Sequence, residues 1–527
     1  MSQYRRRGIL LVVTMIILGV SCKKSLELSP EDSFGSNSFW QNEAQVGGFM
    51  QGMHTQFRAN QFQFLRLGEF RGGSLSTTEI FPVSLNEVPL IEQNLEEISA
   101  GVGNWAGFYT NILQLNLFIK KTEAASFLTG AQRGYFLGQA YAMRAYYYFQ
   151  LLRTYGGVPL RLEPEVIDGT TDQVALRKAR ATEGEVLAAI KSDINQAITK
   201  FGASATANKG QWNPMAALML KGEIYLWSAK VYNNNADLAI AKTALNAITG
   251  FSLCPNFADV FSYTKKKNSE IILAMSFQST EAEMSGVNLF TYDLAGLGGG
   301  FYPDSLASGA VISTNPDPLN IGQPNALPAI QRYRYKFELF QSYDNADTRK
   351  LATFYDFYKV NKSGVPPYPV IQRNTVLKKF LGIFEQNKRY FSDDWPVYRE
   401  ADRLLMLAEI INAEGGDPTV YIKQIRDRAF GLANDPTPFV NGSKDANELA
   451  IFSERSKEFV YEGKRWYDLR RMKYGTEPLA FISPNHPYGV LNKTTQAYRM
   501  LWPIEPAIWT NDPLVDQTPG YSTSKPH

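Results

Sequence analysis

The chain has 527 residues, 44% of them apolar and 20% charged, which is enough apolar material for a large core and excludes wholesale disorder. Lys and Arg number 54 against 51 Asp and Glu. Setting aside Arg5, Arg6 and Arg7, the only charged residues of positions 1–21, leaves 51 against 51, a neutral body without the net basic surface that nucleic-acid binding requires.

At the N-terminus, Arg5 to Arg7 precede a twelve-residue apolar run from Ile9 to Val20, interrupted only by Thr14 and Gly19. The run is too short to span a bilayer and has the form of a signal-peptide core. Gly19, Val20 and Ser21 then lead directly into Cys22, which resembles a bacterial lipoprotein box, with Gly19 standing where Leu is usual. That resemblance implies cleavage after residue 21, acylation of Cys22 and insertion into a lipid bilayer, with residues 22–38 as a tether. Stable anchoring needs more than one acyl chain. Cys254 is the only other cysteine, so acylation of Cys22 excludes an intramolecular disulfide, and two cysteines exclude a multi-cysteine zinc site. The three histidines, His54, His486 and His527, form no metal-binding spacing, and His54 and His486 read as ordinary polar positions.

The mature chain is dominated by helical periodicity. Helices are predicted at Phe39 to Phe57 and Trp105 to Lys121. Phe136, Ala140, Met143, Tyr147 and Leu151 make one apolar stripe, and Tyr155 to Leu160 stops that helix in a turn. Val186, Ile190, Ile194, Ala197 and Phe201 make another, opened by a Thr182/Glu185 capping box. Asn213 and Pro214 start a third helix, with Ala217, Leu220, Ile224, Trp227 and Val231 on its stripe. Further helices are predicted at Asp237 to Ile248, along Ala401, Leu404, Ala408 and Ile411, from Asp417 and Pro418 to a terminating Gly431, and continuously from Glu448 to Met472. Adjacent pairs with short connections make a stack, although no strict 34-residue repeat is present.

Between Leu253 and about Tyr398 the periodicity fades and Gly, Pro, Asn and aromatics prevail. Glu270 to Phe277 reads as a strand, and Gly296 to Gly300 (GLGGG) is the loosest point. Residues 66–103 share this loop-like character. The helices therefore read as scaffold and these two segments as the working surface. No nucleophile elbow, phosphate-binding loop or dinucleotide fingerprint appears. Asp393/Asp394 and Glu96/Glu97 are sequence neighbours, which suits solvated charge pairs better than carboxyls facing each other across a bond.

Four ordered motifs carry a family resemblance. Gln139 to Leu160 (QAYAMRAYYYFQLLRTYGGVPL) resembles a signature of the SusD/RagB family of outer-membrane nutrient-binding lipoproteins. Glu454 to Arg471 (ERSKEFVYEGKRWYDLRR) resembles its most recognisable motif, with Arg455, Glu458, Phe459, Glu462, Gly463, Arg465, Trp466, Asp468, Leu469, Arg470 and Arg471 at the fixed positions. Leu501 to Tyr521 is similar to the family ending, with Glu505 replacing a Pro, Asp512 separating Asn511 from Pro513, and Thr518 replacing an Asn. Leu26 to Phe57 is similar to the mature start.

The resemblance implies a mainly α fold of stacked helix pairs in a tetratricopeptide-like right-handed scaffold, with a loop-rich, partly β ligand-binding subregion. It divides the chain into a signal peptide (1–21), a tether (22–38) and a single body (39–527): scaffold at about 39–252 and 398–472, insert at 253–397, irregular tail at 473–527. It implies a cell-surface binder without catalysis or cofactor, which captures an oligosaccharide and passes it to a SusC-like TonB-dependent transporter in the outer membrane. Peptide binding on the same scaffold, as in the RagB branch, and a ligand-free scaffold stay open.

The C-terminal motif itself reads as structural. Arg455, Phe459, Glu462 and Trp466 fall on one helical face, where Phe459 and Trp466 can bury together; Glu462 can pair with Arg465 or with backbone beside Trp466, and Asp468 with Arg465 or Arg471. Tyr146, Tyr147 and Tyr148, and likewise Trp105 and Trp466, read as core. By resemblance, ligand contacts lie on loops. Phe70, Arg71 and Phe81 are the candidates in the first segment, and Phe290, Tyr292, Phe301 and Tyr302, flanking GLGGG, in the second. Arg71-Gly72-Gly73 lacks the Asp that family members often carry near this point.

Overall fold

A computed structural model describes residues 39–77, 87–96, 105–166, 170, 172–202, 208–292, 301–304, 317–320, 331–363, 368–432 and 434–522. Cys22, Phe81 and the GLGGG segment lie outside the described residues. Among those described, no helix is long and apolar enough to cross a membrane.

The architecture is mainly α. Helix α1 spans Glu43–Ala59, α2 Gln61–Glu69, α3 Ala106–Ala124, α4 Gly130–Tyr155, α5 Glu183–Phe201, α6 Pro214–Val231 and α7 Asp237–Asn246. After the insert, α8 spans Glu400–Ala413, α9 Thr419–Phe430, α10 Lys444–Glu458 and α11 Arg465–Arg471, and a short α12 spans Pro506–Asn511. Sequence neighbours α4/α5, α6/α7 and α8/α9 pack side by side, and successive pairs pack on one another, so apolar surface left by one pair is covered by the next.

The caps follow local chemistry. The Thr182/Glu185 capping box forms at α5, and Thr129/Gln132 makes a second at α4. Asn213 accepts the Ala216 N–H at the start of α6. Gly156 and Gly431 close α4 and α9 with φ of +74° and +77°, conformations that cost a side chain its Cβ clearance. At α9 the cap is Pro418, while Asp417 accepts the Thr419 N–H at 2.9 Å.

Helix α4 is buried on every side from Leu137 to Tyr155. All of Tyr146, Tyr147 and Tyr148 are therefore core, not only the one on the predicted stripe. Tyr147 OH donates to Asn60 Oδ1 at 3.0 Å and Tyr148 OH to the Arg161 carbonyl at 2.7 Å, so both rings enter the core with their hydroxyls satisfied.

The insert is more deeply embedded than its composition suggests. Strand β1 (Ile271–Met275), inside the predicted Glu270 to Phe277 segment, pairs antiparallel with β7 (Trp395–Arg399), and both are buried throughout. Strands β2 (Phe301–Asp304), β3 (Phe354–Val360) and β4 (Val370–Leu377) form an antiparallel sheet in that order, and β5 (Ile383–Glu385) pairs with β6 (Lys388–Tyr390). Residues 66–69 belong to helix α2, and Val88–Ile91 form one more short turn of helix.

The continuous helix predicted over Glu448 to Met472 is broken. Helix α10 ends at Glu458, Tyr461 and Gly463 take φ of +64° and +67°, and α11 begins at Arg465. The break turns Glu458 and Glu462 toward Arg399, at 2.7 and 2.8 Å, and seats the turn on helix α2 at Gly68.

Candidate functional site

The two loop segments meet. Leu75 bridges Tyr335 in an isolated antiparallel contact; the Ser76 N–H donates to the Arg334 carbonyl at 3.0 Å and the Lys336 N–H to the Ser74 carbonyl at 2.8 Å. Below this junction runs an aromatic column. Phe70, immediately after α2, lies 4.9 Å from Tyr333 and 6.3 Å from Phe290 between ring centroids. Phe290 continues to Tyr335 at 5.7 Å and Tyr461 at 5.0 Å. Such edge and tilted contacts add to what burial alone supplies.

Most of the predicted contact rings belong to this column or to a smaller cluster beside it, and point inward. Phe70 and Tyr292 are 0% exposed, Phe290 1% and Phe301 3%. Tyr292 and Phe301 stack on Phe357 of β3 at 6.1 and 5.1 Å, and Tyr292 OH donates to Asp317 at 2.7 Å. These rings offer no open face to a ligand: their β-strand and post-helix positions place them on the core side. Tyr302 differs. The period-2 alternation of β2 sends it to the opposite face from Phe301, half-buried, 6.1 Å from Tyr358 and with Lys362 Nζ 5.3 Å from its ring.

Arg71 is also fully buried. Its guanidinium lies 4.2 Å from the Trp466 ring and donates to Gln93 Oε1 at 2.9 Å and to the Arg499 carbonyl.

Sequence reasoning missed the run Arg332-Tyr333-Arg334-Tyr335, whose alternation of basic and aromatic residues is visible in the chain and which supplies the second segment's half of the junction. It also missed Phe62, half-buried on the outer side of Phe70 at 6.1 Å, with its ring over Gly286. Gly286 has φ of +87°, and a Cβ there would stand 2.2 Å from Phe62. Beside Phe62, Arg66 pairs with Glu87 at 2.8 Å; on the neighbouring sheet, Arg373 pairs with Asp356 at 2.7 Å.

Below the column, Glu69 accepts from Tyr335 OH at 3.1 Å, and burial pushes its carboxyl up to about 7 against the pull of Arg465. The family-type motif lies deeper still. Arg399 reaches Glu270 and Glu458 at 2.7 Å and Glu462 at 2.8 Å, and Lys379 reaches Glu462 at 2.5 Å. Arg428 pairs with Glu270 at 3.0 Å and Arg349 with Glu458 at 3.2 Å. Together these cations hold Glu458 well below the usual carboxylate range despite its burial. Arg455 pairs with Asp468 at 2.8 Å and Asp402 at 2.9 Å, and Arg471 with Asp468 at 2.8 Å. The motif's charges are therefore satisfied largely across the fold. Glu462 turns to Arg399 and Lys379 rather than to Arg465, whose Nε donates to the Gly72 carbonyl at 2.6 Å. Phe459 and Trp466 are both buried, but on separate sides of the turn.

The neighbouring carboxylates Asp393 and Asp394 are buried rather than solvated: Asp393 accepts the Gly382 N–H at 2.6 Å and Asp394 the Lys267 N–H at 3.0 Å. Burial raises Asp393 to about 7. Among the described residues, no group of three or more His, Cys, Asp or Glu is placed to hold a metal ion.

Comparison with known proteins places this arrangement. Residues 26–226 match a family described as "Starch-binding associating with outer membrane". A SusD-like protein of Formosa agariphila is 28% identical over 553 residues, spanning 99% of this chain and all of that protein. NanU of Bacteroides fragilis superposes with a TM-score of 0.80 at 31% identity, over 94% of this chain and 100% of its own. A SusD superfamily protein of the same species reaches 0.79 at 35% identity, over 92% of this chain and 100% of its own. Surface glycan-binding protein A of Bacteroides thetaiotaomicron, solved in complex with laminarihexaose, shares the fold at a TM-score of 0.65 and 18% identity, over 90% of this chain and 99% of its own. Residues 232–521, more than half of the chain, match the SusD family, and the chain belongs to that family.

Proposed function

We propose that this protein is a lipid-anchored binder on the bacterial surface that captures an oligosaccharide at the junction of its two loop segments and passes it, chemically unchanged, to a SusC-like TonB-dependent transporter in the outer membrane. The observation that carries the reading is the Leu75–Tyr335 junction over the aromatic column. A rigid floor of packed rings fixes two irregular segments side by side, leaving Phe62 and Tyr302 part-exposed, with Arg66 beside Phe62 and Arg373 across β3 from Tyr302. Sugar rings present an apolar C–H face to such aromatics and hydroxyls to such polar groups, and a site ordered before binding loses little entropy when filled. Family membership and the glycan-binding relatives support the same reading, as does the structural use of Asp393 and Asp394, whose carboxylates are tied to backbone N–H groups.

Affinity electrophoresis of the purified chain through gels containing single polysaccharides tests capture: retardation by a glycan is expected. Co-purification with peptides and no retardation by any polysaccharide would replace the glycan by a peptide. Release of smaller products from the retarding glycan would overturn binding without catalysis. A pull-down from outer membranes tests the partner, and a co-purifying transporter barrel is the expected result.

A further inference from the structure

Buried guanidinium groups in this protein are generally matched by carboxylates: Arg144 with Asp193 at 2.7 Å, Arg153 with Glu223 at 2.6 Å, Arg471 with Glu409 at 2.9 Å. Three neighbouring arginines depart from that pattern. Among the described residues, Arg71, Arg470 and Arg499 have no carboxylate at ion-pair distance, and their hydrogen bonds go to carbonyls, a carboxamide or a phenol. Arg71 and Arg470 both lie against the Trp466 ring, at 4.2 and 5.9 Å. Nη1 of Arg71 and Nε of Arg470 are buried with no hydrogen-bond partner.

Burial, with the repulsion of neighbouring arginines, pulls Arg71 down to about 9 and Arg470 to about 10. Around them stand the phenols of Tyr498 and Tyr521. Glu183, the acid that acts on Arg470 from beyond pairing distance, is already held by Tyr232 OH at 2.6 Å. Positive charge concentrated in a poorly solvated place without a counter-charge is unfavourable by itself and attracts an anion.

The cluster opens to solvent at Arg499. This side chain is half-buried, donates to the Gln93 carbonyl at 2.7 Å and lies 3.4 Å from the exposed Asn94 side chain. Gln93 and Asn94 belong to the first loop segment, so the opening is on the flank of the surface described above. With Nε directed at Tyr498 OH and Nη1 at Gln93 and Asn94, Nη2 of Arg499 is left to donate a charge-assisted hydrogen bond to a carboxylate.

We propose that the oligosaccharide taken by this protein carries a carboxylate, as a uronate-type sugar does, and that Arg499 receives it with Asn94 at the rim while Arg71 and Arg470 supply the positive field behind. This rests on the glycan-binding reading.

A glycan array holding neutral, carboxylate-bearing and sulfated oligosaccharides, probed with the purified chain, tests it. Retention of carboxylate-bearing members is expected, weakening as salt is raised. Asn94→Asp, at an exposed position, and Arg499→Gln are each expected to lower that signal about tenfold with thermal melting unchanged. Retention of neutral or sulfated members alone, or a carboxylate signal indifferent to both substitutions, overturns the acidic ligand and leaves glycan capture standing. Retention of no member overturns both.

Discussion

Gly68 of α2 lies so close to Gly463 that a Cβ added to it would stand 1.8 Å from the Gly463 carbonyl oxygen. The N-terminal half of the chain and the family-type motif thus touch backbone to backbone. Gly68→Ala is expected to destabilise the fold by about 3 kcal/mol, since backbone on both sides must shift. Urea denaturation measures it, and a midpoint equal to the parent's would refute the contact.

Arg399 is the centre of the buried ionic network, touching Glu270, Glu458 and Glu462. Removing one partner leaves carboxylates buried against one another. Arg399→Ala is expected to cost about 3–5 kcal/mol, read from the same denaturation curves. A loss below about 1 kcal/mol would place the network among interactions that contribute little.

Stability has opposed pH limbs. Glu69 and Asp393 keep their protons to about 7 when folded, against ordinary values of 4.5 and 3.8. Their contribution is fully present below those ordinary values and is lost as pH rises through 7. His54, which hydrogen-bonds Gln139 at 2.8 Å, is pushed down to about 4 by burial from an ordinary 6.5. Its contribution is present above 6.5 and lost as pH falls toward 4. Glu69→Gln keeps the acceptor for Tyr335 and removes the ionisation. Relative to the parent it is expected to gain stability with rising pH, reaching about 1–3 kcal/mol by pH 8. Urea midpoints at pH 5 and pH 8 that move in parallel for both proteins would rule out this assignment.

Tyr302 and Phe70 separate binding from packing. Tyr302→Ala removes a half-buried ring and is expected to weaken glycan binding by about 1–2 kcal/mol with melting unchanged. Phe70→Ala empties a core position and is expected to lose about 3–5 kcal/mol of stability. Titration with the glycan that retards the protein, beside thermal melts, distinguishes the two. Unchanged affinity in the Tyr302 variant would remove that ring from the site.

On the proposed acylation, Cys22→Ser is expected to move the protein from the membrane to the soluble fraction, because acyl chains supply the partition energy. Fractionation of cells making the variant without its transporter is the measurement, and continued membrane retention would refute acylation as the anchor.

Helix content, most caps and the family were legible in the chain because they depend on local spacing. The Thr182/Glu185 box, Asn213 before Pro214 and Gly431 after α9 act within a turn of themselves, and the family motifs are contiguous. The break between α10 and α11 was not legible, because the apolar and charged spacing of residues 448–472 suits an unbroken helix. Contacts distant in sequence, from Arg399, Lys379 and Gly68, draw the chain out of it.

The candidate site divides in the same way. Chain composition alone marked two irregular aromatic segments as distinct from the helical scaffold, and the structure joins them at Leu75 and Tyr335. Whether a given ring faces solvent or core depends on the parity of its strand and on what lies across from it. Tyr302 and Phe301 are adjacent in the chain yet face opposite ways, and Phe70 is covered by residues more than two hundred positions away. Local periodicity determined the helices and contiguous motifs the family; tertiary packing decided which aromatics are floor and which are surface, and where positive charge is left without a carboxylate, because burial is set by neighbours that only the folded chain brings together.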